Sequence, residues 1–427
     1  FGTPTTSEQS TDKAYLGSYS WYVVASAFRQ GIFSPNNFSL VSGKTYRASL
    51  WIYALDGAEI LSGVTNSDAS VFTSRTVAQG QWTNVVYYFT ATATSASYIS
   101  ILSSHSTLEF YVDNVSVKEI QTDVPRIDFT DDATGHLLLE PQSTNLAIFS
   151  EDFSGYAWLV FGSIQANSSV SPNGLATATK LTSTGTQYHL VRIGFSGLAT
   201  TSVFVKNVDA NNFYIRKSND DYAYYNFNTK TVSDNSLKVE HFANDWVRLS
   251  LTTQATNYRQ FGVGVNETDL SEVGNSVHIW GAQVEQQSFA TSYIPTQGST
   301  VTRNADVCNN SGSAQDFNSE EGVLYAEIAA LADDGTSRRI SLSNGSTSNT
   351  VEILFQNTGT VSFQVKSGNS FQGGGTFNLT QTEFNKIAVK YKANDLALWV
   401  NGLERSADNS ANTPIGLLEL AFDDGGG

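Results

Sequence analysis

The chain has 427 residues, of which 40% are hydrophobic, 12% aromatic and only 15% charged. This composition excludes a disordered chain, which would combine low hydrophobicity with high net charge. The net charge of −16 argues against nucleic acid and against anionic membrane surfaces as partners, since both are bound through basic patches. No apolar run reaches the roughly 18 residues of a membrane-spanning helix, so we predict no membrane insertion.

Short segments rich in β-branched and aromatic residues alternate with Gly, Asn, Ser and Asp along the chain. This pattern is typical of antiparallel β-sandwiches. The clearest predicted strands are 45–55, 82–92, 109–120, 201–208, 246–253, 276–285, 351–355, 361–366 and 386–401. The segment 322–332 fits either a short helix or a buried strand, because period alone does not separate them. We therefore predict an all-β fold.

Prolines mark the predicted connectors, because proline fixes φ and cannot donate to a sheet ladder. Pro125 and Pro141 fall in one connector, and Pro295 precedes a Gly/Ser/Asn-rich stretch at 309–319. We predict three consecutive antiparallel β-sandwiches at residues 1–121, 146–298 and 320–427, with connectors at 122–145 and 299–319. Residues 81–85 and 111–117 begin and end one stretch of the chain, and residues 245–249 and 278–284 begin and end another. The two stretches resemble each other, which indicates two copies of one sandwich type.

The strand at Tyr46–Leu55 carries the first candidate site, because successive side chains of a strand point to opposite faces. One face is apolar and suits the core between two sheets. The other face carries Arg47, Trp51 and Tyr53. An outward flat ring can stack on the apolar face of a sugar while polar neighbours hold its hydroxyls. Two alternatives stay open: a loop covers these rings, or both faces are buried.

A second candidate site lies on the predicted strands near 213–217 and 222–226. The same alternation places Tyr214 and Arg216 outward, and Tyr222 and Tyr224 on one common face. A Tyr- and Arg-rich surface is typical of adaptable recognition, and ordinary cross-strand aromatic pairing is the alternative. The tryptophans at strand positions are interpreted as core anchors; they are Trp82, Trp246, Trp280 and Trp399.

Three groups of motifs resemble known families. Residues 110–117 resemble the terminal strand of jelly-roll carbohydrate-binding modules. Residues 384–389 and 398–402 resemble the laminin-G or concanavalin-A-like sandwich. The middle third resembles a module common in bacteriophage fibre and other virion appendage proteins, through residues 137–146, 149–154, 171–174, 279–285, 291–296 and 301–306.

These resemblances imply two jelly-roll-like sandwiches followed by a laminin-G-like one, on a virion surface and with homo-oligomerisation. In the carbohydrate-binding modules, an Asp near the position of Asp113 often helps to bind structural Ca²⁺; a solvated turn Asp is the alternative. We expect no required cofactor beyond that ion. Members of the laminin-G-like family continue past a Gly-rich turn, whereas this sequence stops at 423–427. We therefore expect a third sandwich that is truncated or closed by a neighbouring subunit, in a chain that is an internal portion of a longer protein.

Catalysis has little support, because no pattern selects two carboxylates and no nucleophile motif is present. The sequence predicts a non-catalytic bacteriophage virion appendage that binds host cell-surface polysaccharide and contacts other virion proteins. One alternative is an extracellular glycan-binding region of a secreted bacterial polysaccharide-degrading enzyme or adhesin. Others are a purely structural virion component and an unrecognised glycosidase or lyase.

Overall fold

The computed structural model describes residues 2–34, 38–56, 58–65, 67, 73–105, 107–119, 126–129, 133–154, 157–184, 190–194, 196–218, 221–255 and 258–426. Strands make up nearly all of the regular structure in these ranges, beside one 3₁₀ turn at Leu270–Glu272. No helix in the described residues is long and apolar enough to cross a membrane. The chain divides into two compact units, Phe1–Pro125 and Arg126–Gly427.

The first unit is one β-sandwich. Its strands are β1 (Thr6–Ser10), β2 (Ser20–Ala25), β3 (Gly31–Phe33), β4 (Phe38–Leu40), β5 (Thr45–Ala54), β6 (Ala58–Val64), β7 (Thr73–Val77), β8 (Trp82–Thr90), β9 (Ser95–Ser97), β10 (Ile99–Ser103) and β11 (Leu108–Glu119). A five-stranded sheet β1-β2-β11-β5-β8 faces a four-stranded sheet β3-β10-β6-β7. Ala48, Leu50 and Ile52 of β5 lie fully buried in the core between them, which confirms the predicted alternation.

The second unit begins with a sandwich of two six-stranded sheets, β15-β18-β25-β20-β21-β22 and β16-β17-β26-β19-β24-β23. Its strands, with those of the preceding and following segments, are β12 (Ile127–Asp128), β13 (His136–Leu137), β14 (Ser143–Asn145), β15 (Leu159–Phe161), β16 (Ser163–Ser169), β17 (Ala178–Thr182), β18 (Leu190–Gly194), β19 (Gly197–Asn207), β20 (Asn212–Ser218), β21 (Asp221–Asn226), β22 (Thr231–Val232), β23 (Lys238–His241), β24 (Trp246–Ala255), β25 (Tyr258–Val263), β26 (Ser276–Glu285) and β27 (Val301–Arg303). Phe213, Ile215 and Phe261 pack in its core.

The third sandwich, also in the second unit, pairs a four-stranded sheet β28-β33-β34-β35 with a five-stranded sheet β32-β31-β30-β29-β36. The strands are β28 (Glu321–Ile328), β29 (Arg338–Ser343), β30 (Thr350–Phe355), β31 (Thr360–Ser367), β32 (Ser370–Asn378), β33 (Asn385–Lys392), β34 (Leu396–Val400), β35 (Leu403–Asp408) and β36 (Glu419–Ala421). Strand β28 settles the helix-or-strand alternative, because Leu324 is buried between the exposed Val323 and Tyr325. The predicted all-β fold of three antiparallel sandwiches is confirmed.

The segments that flank the second sandwich are not free linkers. Strand β14 pairs with β27 across a long sequence separation. Glu140, only 5% exposed, accepts a hydrogen bond from Arg126 Nη2 at 2.6 Å and lies 2.8 Å from Arg303 Nη1. Asp306 Oδ2 accepts hydrogen bonds from Arg126 Nη1 and from the Glu140 backbone N–H, both at 2.8 Å. We call these four residues the arginine–carboxylate brace.

Because of the brace, the predicted connectors at 122–145 and 299–319 are not free linkers along their whole length. Parts of both segments are tied to each other and to Ser292, whose backbone N–H donates to Glu140 at 2.8 Å. The fully buried Asn145 adds to this, since its side chain bonds the backbone of Ala282 and Ile294. The second sandwich therefore extends beyond 146–298. The predicted boundary between residues 121 and 122 lies outside the described residues.

Candidate functional site

Four aromatic side chains cross the outer face of the five-stranded sheet in the first unit. Tyr22, Tyr111, Tyr53 and Trp82 lie directly opposite one another on β2, β11, β5 and β8. Their ring centroids are separated by 4.7, 6.2 and 5.7 Å in that order. Because neighbouring strands lie about 4.8 Å apart, the line spans about 14 Å. We call these four residues the aromatic row.

The four side chains share the outer face because each alternates along its strand with side chains that point into the core. In β5, Ile52 and Ala54 point between the sheets, so Tyr53 points outward. Tyr22, Tyr53 and Trp82 are half-buried, whereas Tyr111 in the middle is 6% exposed. The row thus forms an apolar strip with three accessible rings, whose planes are tilted against their neighbours by 31° to 80°.

Charged groups border this strip. Glu109 accepts a hydrogen bond from the Tyr22 hydroxyl at 2.7 Å. Burial and this bond to Glu109 raise the pKa of Tyr22 to about 12, so its hydroxyl stays a donor near neutral pH. The Lys13 ammonium lies 5.0 Å from the ring centroid of Tyr53. An apolar strip bordered by donors and acceptors can hold a flat, hydroxyl-rich ligand.

Trp51 faces outward as predicted, but it is not open to solvent. Its side chain is 2% exposed because Tyr15 stacks on it, with centroids 3.7 Å apart and planes 13° apart. The prediction that Trp51 presents a free stacking face is therefore wrong, and the alternative of a covering loop holds. Only Tyr53, of the two aromatic residues predicted on this strand, remains accessible.

Asp113 holds the covering loop. Its Oδ2 accepts hydrogen bonds from the backbone N–H groups of Tyr15 at 2.8 Å and Leu16 at 3.0 Å, and its Oδ1 accepts one from Asn114 at 2.6 Å. Three N–H donors occupy the carboxylate for which the resemblance to carbohydrate-binding modules implies a calcium role, with a turn Asp as the alternative. No cluster of three or more His, Cys, Asp or Glu in the described ranges is placed to hold a metal ion.

We expect Asp113→Ala to free the loop and to lower the free energy of unfolding by roughly 1–3 kcal/mol, because hydrogen bonds to a charged acceptor are lost. Hydrogen exchange at the amides of Tyr15 and Leu16 should accelerate, while Asp12→Ala, a neighbouring exposed carboxylate, should leave both slow. Calcium should leave the melting temperature of the wild type unchanged. A calcium-dependent rise that disappears in Asp113→Ala would restore the metal role.

Arg47 is not part of the aromatic row. It lies on β5 opposite Tyr88 and Lys118, six residues from Tyr53, which places it about 20 Å along the strand. Its side chain is half-buried. The structure therefore separates two residues that the sequence grouped into one site.

The predicted cluster on the second sandwich is already paired within the protein. Tyr214 points away from the core but is 0% exposed, so the prediction of an open surface at this residue is wrong. Its ring packs edge-on against Tyr222 at 5.3 Å, and its hydroxyl accepts a hydrogen bond from Gln260. Gln260 also donates to Glu267, in the loop after β25.

The remaining predicted residues of this cluster are half-buried. The Arg216 guanidinium lies 4.4 Å from the ring centroid of Tyr258. Tyr224 lies directly opposite Tyr214 on β21, and its backbone N–H donates to Ser233 Oγ. The alternative of cross-strand pairing thus describes this surface better than the recognition site does.

The buried phenol predicts loss of stability at alkaline pH. Burial raises the pKa of Tyr214 well above its usual value of about 10. The unfolded chain releases this proton near pH 10 while the folded chain retains it, so the stabilisation present below pH 10 is lost as pH rises beyond it. We expect urea unfolding to show a weaker alkaline loss in Tyr214→Phe than in the wild type. Equal pH profiles would contradict this assignment.

Sequence reasoning missed three members of the row and misplaced two tryptophans. Tyr22 and Tyr111 were not singled out, and Trp82 was interpreted as a core anchor although it belongs to the outer row. Trp399 is 38% exposed on β34, so the core interpretation is wrong for this residue. Alternation with the buried Leu398 and Val400 could have shown it. Trp246 and Trp280 are buried, but in a small outer cluster with Phe204.

One family model matches a short segment of the chain. Residues 311–373 match the family RnlA_toxin_N, described as RNase LS, bacterial toxin N-terminal. This match covers too little of the chain to place it in that family. No curated protein matches the sequence.

The solved structures that are similar to this chain include the following two. One is the N-terminal CBM22-1–CBM22-2 tandem domain of Xyn10C from Paenibacillus barcinonensis, at 11% identity and a TM-score of 0.24, covering 66% of this chain and 91% of that one. The other is the LG1-3 region of the laminin alpha2 chain, at 9% identity and a TM-score of 0.16, covering 94% and 92%. At these TM-scores neither similarity carries an argument about function.

Proposed function

We propose that this protein binds glycans without cutting them, and that the aromatic row is a contact surface. The observation that carries the proposal is the row itself: three accessible rings in register on the outer face of one sheet, bordered by Glu109 and Lys13. Flat rings pack on the apolar face of a sugar, and the bordering groups bond its hydroxyls. Binding of immobilised polysaccharides by the full chain tests this. No binding to any of a broad panel would overturn it.

The finer proposal places the protein on a bacteriophage virion, as a fibre, spike or decoration that contacts host polysaccharide. The resemblance of 137–146, 291–296 and 301–306 to virion appendage modules supports it. Further copies of the chain and other virion proteins would be its partners. Linked copies raise avidity by about 10²–10⁴ when they engage together. Labelling of intact virions with an antibody to this chain tests the location, and a signal restricted to secreted bacterial protein would favour the alternative.

A purely architectural role predicts that the row is buried between subunits. In that case Trp82→Ala would change the oligomeric state and leave polysaccharide binding absent in both forms. An enzyme would instead release soluble product from the bound polysaccharide. The short match to a toxin segment adds no nuclease proposal, since the net charge of −16 opposes phosphate binding.

A further inference from the structure

A cavity of about 280 Å³ opens on the outer face of the five-stranded sheet of the third sandwich. The residues that line it include Gln356, Ser362, Gln364, Phe371, Gly374 and Thr376. They come from the neighbouring strands β31 and β32, except Gln356, which directly follows β30. No line of the sequence reasoning pointed to this surface.

The cavity arises from a bulge and a glycine run in β32. The register shifts between Val365 and Lys366, so that Phe371 pairs with Lys366 while Gly373 pairs with Val365. A Cβ on Gly374 would lie 2.6 Å from the Phe363 carbonyl oxygen and 3.1 Å from the Phe371 ring. Residue 374 therefore has no room for a side chain, and the Phe371 ring lies beside the backbone of β32.

Phe371 gives this cavity an apolar wall. It is 65% exposed, which makes it the most exposed aromatic side chain among the described residues. A large ring left in water beside a cavity is stabilised when a ligand covers it. The opposite side of the cavity is polar, since Ser362 and Thr376 lie directly across from each other.

The polar side chains that line the cavity are uncharged. Gln364 donates from Nε2 to the buried Glu352 at 2.8 Å, which leaves its amide oxygen as an acceptor. Glu352 is in turn compensated by Arg339 at 3.1 Å and Lys366 at 3.3 Å. Amides and hydroxyls beside an exposed ring suit an uncharged ligand rich in hydroxyl groups.

We propose that this cavity is a neutral-saccharide site in which Phe371 stacks on a sugar ring and Gln356 and Gln364 bond its hydroxyls. The choice of a sugar rests on the proposed glycan-binding function. The site itself does not rest on the aromatic row, because it lies in the other unit of the chain. The protein then has two sites of different construction, one strip and one pocket.

The test uses the full chain and short neutral glucan, mannan, galactan and xylan oligosaccharides. Phe371→Ala is made in the wild type and in a row-disabled chain that carries Tyr53→Ala and Trp82→Ala. Tyr325→Ala, an exposed aromatic residue on the opposite sheet of the same sandwich, is the matched control. We expect Phe371→Ala to weaken binding at least about tenfold in the row-disabled chain, and Tyr325→Ala to change nothing.

A photoreactive saccharide gives a second measurement, which does not depend on the folding of the row-disabled chain. It should label residues within 354–376 of the wild type, and Phe371→Ala should remove that label. An affinity that Phe371→Ala leaves unchanged, or labelling confined to the first unit, would overturn the proposed pocket site and leave the proposed row site standing. An affinity that Tyr53→Ala and Trp82→Ala leave unchanged but that Phe371→Ala lowers would overturn the row as a binding site and support the pocket.

Discussion

Trp82→Ala is expected to weaken polysaccharide binding about tenfold, and the double variant Tyr53→Ala/Trp82→Ala about a hundredfold. The physical reason is the loss of ring stacking at one end of the aromatic row. Each aromatic contact contributes about 0.5–1.5 kcal/mol beyond its buried area, and 1.4 kcal/mol corresponds to a factor of ten. Trp82→Phe should retain part of the affinity because it keeps a flat ring. Titration of the full chain with soluble oligosaccharide measures all three.

Trp399→Ala is the matched control for this series. Trp399 is also a partly exposed tryptophan on an outer sheet face, but it belongs to the third sandwich. Its replacement should leave the affinity unchanged. Equal losses for Trp82→Ala and Trp399→Ala would show that the effect is not specific to the row.

Glu140→Ala is expected to lower the free energy of unfolding by about 3–5 kcal/mol. Removing the buried partner of an ion pair is strongly destabilising, and here Arg126 and Arg303 would be left with Asp306 as their one shared carboxylate. The melting temperature of the second unit should fall, and the pairing of β14 with β27 should loosen in hydrogen exchange. Urea unfolding monitored by circular dichroism measures the change.

Glu383→Ala provides the comparison for the brace, because Glu383 is an exposed carboxylate in the same unit. It should change the free energy of unfolding by less than about 0.5 kcal/mol. Glu140→Gln should lie between the two, since the amide keeps the shape but loses the charge. A loss below about 1 kcal/mol in Glu140→Ala would show that the brace is not a stabilising element.

Strand alternation accounts for most of what the sequence could predict. It placed Leu50 and Ile52 in the core and turned Tyr53, Trp51 and Tyr214 away from it, and the structure agrees in each case. The same rule would have found Trp399. It is a local rule, however, and needs only residues two positions apart.

Exposure was not predictable in this way, because it depends on distant segments. Tyr15 covers Trp51, and its backbone is held by Asp113, 98 positions away. Likewise, Tyr214 is sealed by contacts with Gln260 and Tyr222. The direction of a side chain follows from its strand, whereas its cover follows from tertiary packing.

The register of strand pairing also could not be predicted from the sequence. The aromatic row forms because Tyr53 stands opposite both Trp82 and Tyr111. A shift of one residue in either pairing would turn one side chain to the other face. The cavity beside Phe371 depends in the same way on a bulge. The glycine run at 373–375 permits this bulge, but a glycine run alone does not predict one.

The most direct test is a crystal structure of the full chain with a bound neutral oligosaccharide. We predict sugar rings lying flat on Tyr53, Trp82 or Tyr22, with hydroxyl groups bonded to Glu109 or Lys13. A structure in which the saccharide avoids this sheet face, or in which a second copy of the chain covers those rings, would contradict the proposal.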